Sequence, residues 1–479
     1  MTIVPAMPLL AAGQASAPTI SAGDTAWVLI STALVLLMVP GLAFFYGGLV
    51  RTKSALNTML MSLGALAVVT VQWVLFGYSL AFGPGSSWIG GLAHLGFTGV
   101  TALPNPTYSA ALPHLLFSAF QAMFAGITVA LFSGAIVDRM RFTAYLVFGV
   151  LWTTIVYDPL AHWVWGDGGW LRMLGALDFA GGTVVHISAG TTAIVLALVL
   201  GPRRDFKRVP NVPHNVPFAL LGAGLLWFGW FGFNAGSALA ADGIAANALV
   251  TTHAAAAAGL ISWLILELIK GGRATAVGAA TGAVVGLVAI TPAAGFVTPL
   301  AALAMGALAA PFSFYALHYR PKTRLDDTLD VFACHGVAGI MGAVLTGVFA
   351  SKAVNPLGAD GLLAGNPSLV GVQLLAVVAT IAFAGIASAG ILFALRAVMP
   401  LRVPVEVEVQ GIDLAEHGEE AYHGGDLSDL TGRKTALGDA VVLPVTELGA
   451  RAVPRTVEAG WRGTRQSFYQ TSSVPPFSA

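Results

Sequence analysis

Long apolar runs recur along the chain, each closed by a turn or a cluster of charge. They predict membrane-spanning helices over residues 25–49, 55–82, 112–137, 142–164, 179–201, 216–238, 246–269, 274–291, 296–318, 333–350 and 367–395, because about 20 apolar helical residues cross a hydrocarbon layer of roughly 30 Å. Residues 54–137 contain no Asp, Glu, Lys or Arg, which leaves room for two of these crossings. Beyond residue 400 the pattern changes. Residues 401–430 mix charge with some structure-forming content and read as a cytoplasmic regulatory segment, and 431–479, rich in Gly, Ser and Pro, as a disordered extension. Residues 1–22 read as an extracytoplasmic segment. The run Met7–Ala12 before Ala15-Ser16-Ala17 is short for a signal peptide and has no basic flank.

Charge tests the count of eleven independently. With alternate loops on opposite sides, one side receives Arg51, Lys53, Arg139, Arg141, Arg203, Arg204, Lys207, Arg208, Lys270, Arg273, Arg320, Lys322 and Arg324. The other receives Arg172 and Lys352 alone. Basic residues gather on the cytoplasmic side of membrane proteins, so the N-terminus is expected outside and the C-terminus inside. Arg396 and Arg402 flank the last span on the same basic side.

Composition agrees and excludes a soluble globule. Charged residues are 10% and hydrophobic residues 56% of 479, against about 25% charged in soluble domains, and the mean hydropathy is +0.80. The formal net charge of zero gives no reason to expect a nucleic-acid partner. The 57 glycines suit a tightly packed bundle, since small residues let membrane helices approach closely. The single cysteine, Cys334, cannot form a disulfide within the chain.

An internal echo points to a pore. His186-Ile-Ser-Ala-Gly190 in the fifth predicted span and His335-Gly-Val-Ala-Gly339 in the tenth both read His-x-x-Ala-Gly. An offset of five spans turns one copy over relative to the other, as in transporters built from inverted repeats with their sites near the midplane. The starts of the halves also echo, Gly41–Gly48 and Gly229–Ser237 both being glycine-aromatic patches. Ionisable residues inside spans are costly and mark functional paths. His94, His162 and His253 read instead as neutral, hydrogen-bonded core residues. Two imidazoles are too few for a closed zinc site, so no metal or other cofactor is expected. Neutral imidazole offers a donor and an acceptor without net charge. No Gly-x-Ser-x-Gly elbow or His-Glu-x-x-His pair suggests an enzyme.

At these residues the sequence resembles the ammonium transporter (Amt/Mep/Rh) family, closest to its Amt branch. The match runs through Pro40-Gly-Leu-Ala-Phe-Phe-Tyr-Gly-Gly-Leu-Val-Arg51, Asp178-Phe-Ala-Gly-Gly-Thr-Val-Val-His186-Ile-Ser-Ala-Gly190, Trp230-Phe-Gly-Phe-Asn-Ala-Gly-Ser237 and Asp330-Val-Phe-Ala-Cys-His-Gly336. It covers about residues 22–425, in order. The resemblance implies an all-α fold of eleven transmembrane helices, with inverted five-helix repeats in spans 1–5 and 6–10, assembled as a homotrimer in the plasma membrane. It also implies transport of ammonium, ammonia and the analogue methylammonium.

Carried onto this sequence, the resemblance implies an outer recruitment site at Trp165 and Ser237 with Phe120 and Phe124, the neighbouring Gln121 lying one turn away. It implies a stacked gate of Phe124 and Phe233, and a pore lined by His186 and His335. Asp178 and Asp330 would support the site. For Asp178, capping the local backbone and helping recruitment or proton transfer both stay open. Gly411-Ile-Asp-Leu-Ala-Glu-His-Gly-Glu-Glu-Ala-Tyr422 resembles the family's C-terminal motif. In it Gly411, Asp413, Glu416, His417, Gly418 and Tyr422 would couple subunits and answer to a trimeric PII signalling protein. By its chemistry, this acidic segment is expected to dock between loops carrying Arg139, Arg141, Arg203 and Arg204. The rival function is an ammonium sensor in the same fold. An Rh-like gas channel fits less well with Trp165 and Ser237.

Overall fold

The computed structural model describes residues 19–422; the segments 1–18 and 423–479, with the signal, the end of the regulatory segment and the extension read there, lie outside them. Among the described residues ten helices are long and apolar enough to cross a membrane: α1 (Ala22–Leu49), α2 (Thr52–Phe82), α3 (His114–Ala135), α4 (Phe142–Val164), α5 (Gly182–Leu200), α6 (Val216–Ala238), α7 (Gly243–Gly271), α9 (Pro299–Lys322), α10 (Phe332–Phe349) and α11 (Ser368–Val398). Between α7 and α9 lies α8 (Ala276–Ile290), apolar but only 15 residues long. Ten long helices and one short one therefore stand where the pattern predicted eleven spans.

Local chemistry sets the boundaries. The side chains of Asn215, Asp242, Thr275 and Thr298 accept backbone N–H groups at the starts of α6, α7, α8 and α9, satisfying donors that have no partner inside the helix. Gly272, at φ +71°, ends α7, where a left-handed residue stops a helix at least cost to glycine. Five helices contain a π-helical turn: Trp73–Gly77 in α2, Thr153–Tyr157 in α4, Gly182–Ile187 in α5, Phe231–Ala235 in α6 and Phe332–Val337 in α10. Such turns are rare and cluster at functional positions.

The helices pack into one bundle. Helix α1 lies against α2, α3 and α6, α8 against α6, α7, α9 and α10, and α5 against α10 and α11. The pairings recur five helices on: α1 with α3 and α6 with α8, α2 with α3 and α7 with α8, α2 with α4 and α7 with α9. Nearly every residue of α3 and α8 is buried, whereas α7 and α11 turn Ile261, Ile265, Val378 and Ile386 outward. Lipid is as apolar as these side chains, so their exposure carries no penalty there. Between α2 and α3 a short antiparallel hairpin of β1 (Pro104–Asn105) and β2 (Ser109–Pro113) holds Tyr108 over the bundle end.

Candidate functional site

Three cavities follow one another through the bundle, labelled outer, central and inner from the end at Trp165 to the end at Asp330. The outer one, about 200 Å³, is lined by Trp165, Ser237, Phe124, Gln121, Tyr108 and Arg172 among others. The central one, about 10 Å³, is walled by apolar side chains such as Leu131, Val185, Leu226 and Val284, with Trp230, Phe233, His186 and His335. That is about the room one water-sized molecule needs. The inner one, about 130 Å³, shares Phe45, Val284 and His335 with the central cavity and adds Cys334, Asp330, Asn211 and Thr281.

Phe124 and Phe233 separate the outer and central cavities. Their rings stack with centroids 4.2 Å apart at 31°, and Phe120 meets Phe124 edge-on at 4.9 Å. Trp165 stands edge-on to Phe124 at 6.1 Å. Its indole N–H donates to the Asp178 carbonyl at 2.8 Å and its own carbonyl accepts from Arg172 at 2.8 Å, which fixes the ring plane. The Ser237 hydroxyl donates to the Phe233 carbonyl at 2.8 Å, and its oxygen keeps lone pairs to accept a hydrogen bond from a cation.

The two histidines face each other beyond the Phe124–Phe233 pair. Their Nδ1 atoms are 3.3 Å apart and their rings lie 20° from parallel, with centroids at 5.3 Å. Sequence spacing alone could not bring them together. The close crossing of α5 and α10 does: a Cβ on Gly190 would sit 2.4 Å from the Gly336 nitrogen, so the approach requires glycine. On its other side His186 stacks on Trp230 at 5.5 Å and 22°, while the Trp230 indole N–H donates to Thr291 at 2.9 Å. Trp230 lay within a motif noted above, but nothing in the sequence distinguished it from a packing residue.

The carboxylates divide differently. Asp178 accepts backbone N–H groups from Gly181, Gly182 and Thr183 at 2.6–2.8 Å, a weaker one from Val184, and the Thr183 hydroxyl. It caps the start of α5, the first of the two roles left open. Its counterpart is Asp327, which accepts from Val331 at 3.0 Å and Phe332 at 2.8 Å. Both lie eight residues before their histidine, a spacing visible in the sequence, so the carboxylate matching Asp178 is Asp327 and not Asp330. Asp330 is ion-paired to Arg320 beside the inner cavity, at φ +57°. Burial pushes its carboxyl up to about 7, with the Arg320 charge opposing.

The remaining histidines stand apart from this path. His162 bonds the Ala81 and Ser86 carbonyls, His94 bonds the Thr98 carbonyl in a loop, and His253 packs against Trp227 and Phe231. Among the described residues no cluster of three or more His, Cys, Asp or Glu could hold a metal.

On the basic face, Asp413 accepts the Leu56 and Asn57 N–H groups at 2.9 and 2.8 Å, and Glu416 accepts that of Phe142 at 3.2 Å. His417 bonds the Asn57 side chain, Tyr422 meets His214 and Asn215, and Gly411 at φ +129° passes close over Lys53. At Phe142 and at His214 and Asn215 the motif meets the ends of the loops that carry Arg139, Arg141, Arg203 and Arg204. The acidic motif seats on backbone N–H groups at the starts of α2 and α4, where the helix dipole favours anions. The guanidinium groups of Arg139 and Arg203 are already engaged by Asp326.

The chain is similar to known proteins over most of its length. A profile of the Ammonium Transporter Family matches residues 26–422. The chain belongs to the ammonium transporter family. An ammonium transporter of Bacillus subtilis is 50% identical over 401 residues, 84% of this chain and 98% of that protein. The crystal structure of Candida albicans Mep2 matches with a TM-score of 0.78 at 37% identity, covering 84% and 91% of the two chains. A structure described as a sensor Amt protein matches at 0.77 and 30% identity, over 82% and 98%. The chain is thus a multi-pass membrane protein of a family of ammonium transporters.

Proposed function

We propose that this protein carries ammonium nitrogen across the plasma membrane, taking ammonium at Trp165 and Ser237 and passing uncharged ammonia along His186 and His335. The observation that carries the reading is the order of the cavities: aromatic vestibule, phenylalanine pair, apolar chamber with two facing imidazoles, polar exit. A tryptophan face attracts a small cation by about 0.5–2 kcal/mol. Deprotonating an ammonium ion with pKa near 10 at pH 7 costs about 5 kcal/mol. Carrying the bare ion through an apolar chamber costs an idealised ~20 kcal/mol, several even after relaxation. Ammonia is the cheaper cargo, and the imidazole pair offers it hydrogen bonds without adding charge.

The same reading takes α8 as an eleventh, short span and α1–α5 and α6–α10 as inverted repeats, with the N-terminus outside and the tail inside. The recurring helix pairings and the asymmetry of basic loops support it. The same reading includes a homotrimer and PII control through residues 401–430, and both rest on resemblance to the family. The deciding measurement is methylammonium uptake, with membrane current, in liposomes of purified protein during an ammonium jump. Uptake that His186→Ala abolishes supports the reading; saturable binding without flux would transfer it to the sensor class that the 30%-identical relative represents.

A further inference from the structure

A fourth cavity, of about 370 Å³, lies away from the pore, between the basic-side ends of α5 and α11. Its walls are Val199, Leu200, Met399 and Leu401, and two arginines, Arg396 and Arg402, flank them. Arg402 is committed, donating to the Leu200 carbonyl at 2.9 Å and pairing with Glu408 at 2.7 Å. Arg396 is exposed, and among the described residues it makes no ion pair or hydrogen bond. By contrast Arg51, Arg139, Arg203, Arg320 and Arg402 are all paired. The cavity opens level with the last turns of two membrane helices, where Leu198 stands exposed beside Val199, and Phe393 one turn before Arg396.

We propose that this cavity binds the headgroup of an anionic phospholipid of the cytoplasmic leaflet. Its phosphodiester would meet Arg396, its glycerol backbone the apolar walls, and its acyl chains the Leu198 and Phe393 surface. Basic pockets between helices on the cytoplasmic side suit anionic headgroups, and that leaflet supplies them. A free phosphate would gain the charge but not the apolar contact. Occupancy would also hold the tail. Arg402 joins this cavity to Glu408, whose other carboxylate oxygen accepts the Arg204 N–H and whose carbonyl accepts Lys53. The site rests on the cytoplasmic placement of the basic loops and not on what passes through the pore.

The test is binding to the full, delipidated protein in detergent, where neither sidedness nor transport enters. Thermal unfolding and native mass spectrometry would follow titration with phosphatidylglycerol, phosphatidylcholine and soluble glycerol phosphate. Phosphatidylglycerol is expected to bind and raise the midpoint, and the other two to do neither. Arg396→Gln should weaken phosphatidylglycerol binding about five-fold, Arg396→Lys should restore most of it, and Arg324→Gln, outside the cavity, should leave it unchanged. Unaltered phosphatidylglycerol affinity in Arg396→Gln would overturn the proposal, as would glycerol phosphate binding as tightly as the lipid. Failure would leave the transport reading untouched.

Discussion

The His186 and His335 halves use one backbone device in two different surroundings. Each places a buried aspartate eight residues before the histidine, caps the next helix with it, and sets the imidazole on a π-helical turn. His186 is then enclosed by Trp230, Phe233 and its partner imidazole, and its Nε2 has no hydrogen-bond partner among the described residues. His335 borders a polar inner cavity with Asp330 and Cys334. A repeated scaffold can therefore hold two chemically distinct positions, because the side chains facing each imidazole come from other helices.

The largest expected effect strikes the device itself. Gly190→Val should leave little folded transporter, since the new side chain collides with the Gly336 backbone; expression and the elution profile in detergent report it. If the variant folds and transports normally, the close crossing is not what joins the halves. Next, His186→Ala is expected to lower methylammonium uptake at least about ten-fold, and His335→Ala by less, because the inner cavity already supplies polar neighbours. Equal losses would erase the proposed asymmetry. On the entry side alone, Trp165→Leu should raise the half-saturating methylammonium concentration about two- to thirty-fold, the value of a cation–π contact, with little change in maximal flux.

Smaller effects test the caps and the charges behind them. Asp178→Asn and Asp327→Asn are each expected to cost about 1–2 kcal/mol of stability, and Asp178→Asn more, since it serves more donors. Comparing the two thermal midpoints decides it. The smallest effect is one of pH. Burial opposes the ionised form of Asp326, but the Arg203 hydrogen bonds and the Arg139 charge outweigh it and hold the carboxyl below its usual range. A depressed folded value contributes stability above about pH 4 that is lost only as pH falls through it. Leu177 occupies the matching position beside Asp178, so acid should loosen the inner half first. Protection factors there, corrected for the intrinsic pH dependence of exchange, should not fall from pH 8 to 5, where the raised Asp330 carboxyl only adds stability as it protonates, and should fall below about pH 4; a fall near pH 6 would contradict the assignment.

Most helix limits were legible in the sequence because the membrane demands long, uncharged, internally hydrogen-bonded segments. The bounds predicted for the fourth and sixth spans coincide with α4 and α6, and the histidine echo marked the centre of the chamber. Less was legible where contact depends on geometry across the fold. The motif containing Asp330 drew attention from Asp327, whose role shows only in the N–H groups it meets. Trp230 looked like any buried aromatic until α6 brought it onto His186. The tail's acidity suggested arginine partners, whereas Arg139 and Arg203 are held by Asp326, and Asp413 and Glu416 meet helix ends.

By itself, then, the sequence determined where the chain lies in lipid, which side its charge favours, and which residue types occur near the midplane. All of these depend on one-dimensional patterns of transfer free energy. Only the tertiary structure decided which imidazole faces which cavity, which carboxylate caps and which pairs, and how closely two helices cross. Those outcomes turn on distances of a few ångströms between residues separated by more than a hundred positions, and no local pattern along a chain encodes them.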